Sequence, residues 1–274
     1  MKKIALFILL LAGFAANAQQ TYKTTPNIRY YPDAIYKNDA YAAARCVIDI
    51  YHPENASEKT PVIIWFHGGG ITGGQKEIPN ALKDKGYTIV GVGYRLSPKV
   101  KAPVYIEDAA AAIAWVFNHI GEYGGDSSLI FLSGHSAGAY LDMMVGLDKH
   151  YLAKYDIDAN RIAGLIPFSG QCITHFTVRE ERGIKGTQPI IDNMAPLYFV
   201  RADAPPMLLI TGDREMELLG RYEENAYLLR MMKLCGNTTT RLLEEQGYDH
   251  GGMPTPGFPL LVKEVARLVK AKKG

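Results

Sequence analysis

Six apolar, β-favouring runs punctuate this chain: Val47–Ile50, Val62–Phe66, Thr88–Val92, Leu129–Leu132, Ile162–Phe168 and Met207–Ile210. Each is nearly continuous rather than alternating, and strands of that kind need cover on both faces. Helical patterns lie between them. Ile106, Ala109, Ala110, Ile113, Phe117 and Ile120 share one face at three- and four-residue steps. Tyr222 to Leu234 reads as a further helix stopped by Gly236, and Phe258 to Lys270 as a last one, with Leu261, Val265 and Leu268 on one side. This alternation predicts an α/β fold, a mostly parallel central sheet with helices on both faces and right-handed crossovers. No repeat or low-complexity linker interrupts it, so residues 19–274 are expected to form a single domain. The stretch 171–204 is long and weakly patterned, as expected of a lid or rim beside a site.

Composition removes several classes of function. With 30 Lys+Arg against 28 Asp+Glu, the formal charge of +2 gives no reason to expect nucleic acid as a partner. Hydrophobic residues make up 47% of the chain, enough for a large core. Three cysteines, Cys46, Cys172 and Cys235, with no C-x-x-C spacing, do not make a thiolate zinc site. All three are expected to be buried thiols. At the start, Lys2 and Lys3 precede an apolar run from Ile4 to Ala16, and Ala16-Asn17-Ala18 follows. A basic start, a short apolar middle and small residues at minus three and minus one describe a secretory signal over residues 1–18. The apolar run is short for a membrane span, so no stable span is expected after cleavage.

The chemistry sits where runs end. Leu129–Ser133 leads into Gly134-His135-Ser136-Ala137-Gly138, and a helical pattern follows through Leu147. A G-x-S-x-G turn between strand and helix lifts the serine hydroxyl above the sheet and aims the next backbone N–H, that of Ala137, at the same point. Val62–Phe66 ends in His67-Gly68-Gly69-Gly70, where bare backbone N–H groups of Gly68 and Gly69 suit a developing oxyanion. No G-K-[ST] follows, which argues against a phosphate loop. A serine hydrolase of this type needs an acid and then a histidine later in the chain. The run Met207–Ile210 ends in Thr211-Gly212-Asp213-Arg214-Glu215, with Glu217 two residues on, and Asp249-His250-Gly251-Gly252 comes before the last helix. His250 lies in a loop from which an imidazole can reach a serine, whereas His52, His119, His150 and His175 have no comparable setting. His67 suits a structural role, and His135 is expected to point away from the serine.

These segments together resemble the α/β-hydrolase superfamily of serine carboxylesterases, near its bacterial acetyl-esterase and hormone-sensitive-lipase-like groups. His67-Gly68-Gly69-Gly70 resembles their oxyanion turn, and Tyr94-Arg95-Leu96-Ser97-Pro98 their Y-R-L-A-P segment. Glu107-Asp108-Ala109-Ala110 with Trp115, and Gly124-Gly125-Asp126 before the elbow, extend the likeness over roughly residues 47–250. Arg95, Glu107, Asp108 and Asp126 are read as scaffold. The resemblance implies an α/β-hydrolase fold with Ser136 as nucleophile and His250 as base, and no metal or cofactor. It places the acid three residues after the strand-ending glycine, which lands on Glu215 instead of the family's Asp. Asp213 is the competing acid, with Glu217 behind both. Lipase-like members also carry an N-terminal helical cap, for which the residues up to about Arg45 are too few, so a more open site is expected.

The reading that follows is an exported, periplasmic or extracellular carboxylesterase acting on short acyl groups such as acetyl, on a small-molecule or carbohydrate ester. Two alternatives remain: an amidase, formamidase-like or peptidase-like hydrolase on the same scaffold, and a non-catalytic binding module. Such modules usually lack the serine or histidine that this chain keeps. Export has a direct check: mass spectrometry of protein from its native cell is expected to show a chain beginning at Gln19, and a mature chain that keeps Met1 contradicts it.

Overall fold

The computed structural model describes residues 20–218 and 220–273, so the leader expected over residues 1–18 lies outside the described residues. Eight strands form one sheet: β1 (Tyr22–Arg29), β2 (Val47–Pro53), β3 (Thr60–Phe66), β4 (Thr88–Val92), β5 (Gly125–His135), β6 (Gly164–Phe168), β7 (Met207–Gly212) and β8 (Thr240–Glu245). Their order is β1-β2-β4-β3-β5-β6-β7-β8. The pairs β1–β2 and β2–β4 are antiparallel, and every pair from β4 to β8 is parallel. The α/β architecture with a mostly parallel sheet is therefore present. Its antiparallel edge begins with β1, a strand that the apolar pattern did not reveal because all of its residues are half-buried or exposed.

Each parallel strand before β8 is joined to the next by a crossover. The helices are α1 (Asp33–Asn38), α2 (Ala40–Arg45), α3 (Val104–His119), α4 (Ala137–Leu147), α5 (His150–Ala153), α6 (Phe176–Glu181), α7 (Arg221–Leu234) and α8 (Pro254–Lys273). Alternate residues of β3 show why its run is apolar throughout. Val62, Ile64 and Phe66 join the core shared with α3, α4 and α7, while Ile63 and Trp65 join the core under α8. The last helix starts at Pro254 rather than Phe258, because proline is tolerated in a first turn whose N–H groups lack intrahelical partners. Among the described residues no helix is long and apolar enough to cross a membrane. Cys46 and Cys172 are buried free thiols; Cys235, at the end of α7, is exposed, contrary to the expectation that all three are buried.

The 171–204 connection runs from β6 to β7 and carries α6. It packs inward onto the glycine loop after β3: Thr177 Oγ1 donates to the Gly70 carbonyl at 2.5 Å. A Cβ on Gly70 would lie 3.0 Å from Phe176 Cζ. The connection is thus a fixed wall of that loop.

All eleven residues of α4 are buried, which leaves Asp142 in apolar surroundings. Neither of its carboxylate oxygens has a hydrogen-bond partner among the described residues. Burial disfavours the charged form and raises its pKa well above the ordinary value. A raised folded-state pKa gives stability that is complete below the unfolded pKa, near 4, and is lost as pH rises above it. Asp142→Asn removes that titration. Its melting temperature is expected to match the parent near pH 4 and to exceed it by several degrees at pH 8, at about 2–4 °C per kcal/mol for a domain of this size. A pH-independent gap in thermal unfolding scans would show that Asp142 does not titrate with folding.

Candidate active site

Parallel strands place their carboxyl ends along one edge, and the site is assembled there from four neighbours. Phe66 of β3 pairs with Gly134 of β5, His135 with Phe168 of β6, and Phe168 with Ile210 of β7. The turn between β5 and α4 is as tight as its glycines permit. A Cβ on Gly138 would lie 2.0 Å from the Phe66 carbonyl oxygen, and one on Gly134 2.6 Å from the Gly138 carbonyl carbon. Ser136 is forced to φ 55°, ψ −112°, a conformation that an L-residue adopts only when its surroundings hold it. The Phe168 carbonyl holds it by accepting the Ser136 N–H at 2.8 Å.

The strained turn directs the hydroxyl at His250. Ser136 Oγ lies 2.8 Å from His250 Nε2, and His250 Nδ1 lies 2.8 Å from Glu217 Oε2. Glu217 is the acid that the fold delivers. After β7 the chain makes one helical turn, with the N–H groups of Met216 and Glu217 donating to the Asp213 carbonyl at 2.9 and 2.8 Å. That turn brings residue 217 back over the strand end, where Glu217 Oε1 accepts the Gly212 N–H at 2.9 Å. Glu215, the expected acid, stays exposed, because the same turn carries it to the outside. Asp213 is excluded by its own bonds: one oxygen accepts the Glu215 N–H at 3.0 Å and the other the Gly247 N–H at 2.8 Å. The spacing from Asp213 to Glu217 is one helical turn, but no local pattern in the sequence fixes that the chain turns there.

A second serine completes the acid's surroundings. Ser169, just past β6, has φ 50°, and its hydroxyl donates to Glu217 Oε1 at 2.5 Å while lying 3.0 Å from His250 Nδ1. No sequence motif marks Ser169. Arg221 at the start of α7 donates through Nη1 to the Ser169 carbonyl. Burial pushes the Glu217 carboxyl up, since its side chain is only 1% exposed, but the bonds from His250, Ser169 and the Gly212 N–H outweigh it and hold the pKa down to about 2. Glu217 is therefore held as an anion at neutral pH.

The histidine loop is fixed by its backbone. Asp213 N–H donates to the Tyr248 carbonyl at 2.8 Å, and a Cβ on Gly212 would lie 2.4 Å from that oxygen. His135 Nε2 lies 2.9 Å from the His250 carbonyl, which can only accept, so this nitrogen carries the proton. The His135 ring packs 4.7 Å from the His250 ring, and burial first, then the neighbouring His250, lower its pKa to about 4. His135 is thus a neutral brace on the base's main chain.

On the other side of the serine stands the glycine loop. A Cβ on Gly68 would come 3.6 Å from Ser136 Cβ, which puts this main chain directly against the hydroxyl-bearing residue. Gly69 and Gly70 have φ 108° and 63°, where a side chain would be strained. Ala137 is the first residue of α4, a position whose N–H has no intrahelical acceptor. Of the expected oxyanion donors, Gly68 and Ala137 thus flank Ser136, and Gly69 follows in the same loop. Among the described residues no cluster of three or more His, Cys, Asp or Glu is placed to hold a metal. The arrangement is equipped for proton transfer from a hydroxyl to an imidazole backed by a carboxylate, beside bare backbone donors.

Known proteins resemble this chain in both sequence and fold. It is 29% identical over 176 residues to the probable carboxylic ester hydrolase LipM of Mycobacterium tuberculosis, covering 56% of this chain and 40% of the relative. It is 24% identical over 229 residues to esterase LipC of the same organism, covering 75% and 56%. The chain thus spans about half the length of these relatives. In fold it is similar to a truncated carbohydrate esterase from gut microbiota, with a TM-score of 0.73 at 19% identity over 92% of this chain and 98% of the other. Thermogutta terrifontis esterase 2 gives a TM-score of 0.66 at 23% identity over 81% and 90%. The sheet, its crossovers and the elbow after β5 are those of an α/β-hydrolase. Residues 48–219, from β2 to the turn that carries Glu217, match one family throughout, and this chain belongs to it: the BD-FAE family.

Proposed function

We propose that this protein is an exported serine carboxylesterase that removes short acyl groups, acetyl foremost, from carbohydrate or small-molecule esters. The observation that carries the reading is the unbroken relay from Ser136 Oγ through His250 to Glu217, with 2.8 Å at each step, beside the glycine loop. His250 Nε2 takes the Ser136 proton as the hydroxyl oxygen attacks the ester carbonyl. The anionic Glu217 keeps the other imidazole proton on Nδ1 and stabilises the imidazolium. The N–H groups of Gly68, Gly69 and Ala137 receive the oxyanion, each such donor being worth about 10²–10³ in turnover. His250 then returns its proton to the departing alcohol, and a water deprotonated by the same imidazole hydrolyses the acyl-enzyme.

The substrate class is supported by what lies around Ser136. Residues 22–45 pair along the sheet edge as β1 and pack as α1 and α2 beside β2, instead of forming a helical cap. A serine without an N-terminal helical cap among the described residues suits a bulky alcohol moiety such as a sugar, and a carbohydrate esterase shares this fold. Each methylene of an acyl chain gains about 0.8 kcal/mol only where apolar walls receive it. The composition of residues 1–18 supports export.

Three outcomes are expected. A fluorophosphonate probe should label Ser136 stoichiometrically, and Ser136→Ala should abolish both labelling and hydrolysis of p-nitrophenyl acetate; undiminished hydrolysis in Ser136→Ala would sink the reading. In kcat/KM, acetyl esters should be preferred to octanoyl esters, whereas a preference rising to eight carbons would mean that the 171–204 wall encloses an acyl tunnel. Glu217→Gln should lower kcat by up to about 10⁴, the cost of the matching change in a Ser-His-Asp triad. Glu215→Gln and Asp213→Asn should cost less than tenfold, and a reversed ranking in steady-state kinetics would transfer the acid's role.

A further inference from the structure

His67 opens the glycine loop but lies on the far side of it from the histidine base, and its hydrogen bonds define a single protonation state. Arg45, the last residue of α2, points Nη2 at His67 Nε2 at 3.3 Å. A guanidinium has donors only, so Nε2 must accept and the ring is neutral with its proton on Nδ1. The opposite edge agrees. His67 Nδ1 is 2.7 Å from the Gly68 carbonyl oxygen, which can only accept. Tyr94 Oη, 3.5 Å from Nδ1, spends its own proton on the His67 carbonyl at 2.7 Å and so turns a lone pair to the ring. Burial, and then the Arg45 charge, lower the His67 pKa to about 4, although the Gly68 bond pulls it up.

The ring is packed closely on its neighbours. It stacks on Tyr94 with centroids 4.4 Å apart and planes at 11°, and a Cβ on Gly74 would lie 2.3 Å from Nδ1. Arg45 is itself pinned on three further acceptors: Nε donates to the Tyr94 carbonyl at 3.0 Å, and Nη1 to the Gly74 carbonyl at 3.0 Å and Gln75 Oε1 at 2.9 Å.

What this fixes is a peptide plane. In a trans peptide the C=O of one residue and the N–H of the next point in opposite directions. The His67 bond to the Gly68 carbonyl therefore sets the direction of the Gly69 N–H, in a stretch where glycine would otherwise let the plane rotate. With the proton on Nε2 instead, an imidazole lone pair would face the Gly68 oxygen at hydrogen-bond distance and repel it. We infer that Arg45 is a positioning residue for the oxyanion site: by engaging Nε2 of His67 it keeps the proton on Nδ1, and that proton holds the Gly68–Gly69 peptide in its working orientation. The inference rests on the reading that these backbone N–H groups receive the oxyanion. Arg45 lies just before the matched residues 48–219.

The test uses Arg45→Met, which keeps the aliphatic stem and removes the donors. With p-nitrophenyl acetate, kcat is expected to fall about 10- to 100-fold, part of the 10²–10³ that a lost donor costs, with KM within about twofold. Affinity for a trifluoromethyl ketone, which binds as an oxyanion, should fall by the same factor as kcat/KM. Nitrogen-15 imidazole spectra of the parent should show the His67 proton on Nδ1, the signal being assigned by its loss in His67→Asn, and Arg45→Met should shift it toward Nε2. Should Arg45→Met fail to fold, Arg45→Lys is read in the same way, with a smaller loss that is again equal in kcat/KM and inhibitor affinity. A parent spectrum with the His67 proton on Nε2 overturns the inference, as does a folded variant with unchanged kcat and inhibitor affinity. Failure of the esterase reading is distinguishable: it shows as hydrolysis that survives in Ser136→Ala, while the parent spectrum still reports the tautomer.

Discussion

Everything at the site depends on one contact, the approach of the Gly138 main chain to the end of β3. No atom larger than hydrogen fits on Gly138, because the Phe66 carbonyl oxygen already occupies that space. The contact joins the turn that lifts Ser136 to the strand whose next residues are His67, Gly68 and Gly69. Hydroxyl and backbone donors are thereby set against each other by packing in the sheet, before any substrate is present. Preorganisation of this kind is where a hydrolase finds most of its transition-state stabilisation, since the donors need not reorient as charge develops.

The neighbouring strands extend the arrangement. Ser136 past β5 and Ser169 past β6 both carry positive φ, and each donates its N–H to the adjacent strand, to the Phe168 and Ile210 carbonyls at 2.8 and 2.7 Å. Strain of about 1–3 kcal/mol at each residue is affordable only where the surroundings leave no alternative. The two hydroxyls then serve opposite ends of one imidazole, Ser136 at Nε2 and Ser169 beside Nδ1 with its proton given to Glu217. Polarity is sorted accordingly. Glu217 is buried yet anionic because donors from His250, Ser169 and the Gly212 N–H converge on it, whereas burial keeps the His67 and His135 rings neutral.

The strands, the elbow and His250 were legible in the sequence because each has a local signature: apolar runs for strands covered on two faces, glycines for a turn that tolerates no side chain, a lone late histidine in a loop. The acid was not, because its position depends on how many residues the chain spends turning after β7. The family offset of three lands on residue 215, and here a closed helical turn brings residue 217 back to the histidine instead. Ser169 was invisible for a similar reason, since its part is set by proximity across strands. The first strand escaped notice because an edge strand with a polar outer face carries little apolar pattern, and a bulge between Thr25 and Ile28 breaks its alternation further.

The segment that precedes β2 shows how residues remote from the serine can matter to the site. Arg95 binds Asp108 through Nε at 2.9 Å and Nη2 at 2.7 Å, with Asp108 fully buried. Tyr31 donates to the same carboxylate at 2.8 Å, and Asp39 accepts Arg95 Nη1 at 2.8 Å. The other oxygen of Asp39 caps α2 through the N–H groups of Tyr41 and Ala42, both at 2.9 Å. A buried charge that loses a partner is costly, so this network ties residues 31–42 to the start of α3 as firmly as it ties Arg95. Arg45, one turn further along the same short helix, inherits that rigidity. A flexible arginine would lose most of the benefit of its four hydrogen bonds to side-chain and backbone entropy. Held at the end of an anchored helix, it meets His67, Tyr94 and Gly74 in a geometry that is already set, and the fold gains support behind the glycine loop from the segment that precedes β2.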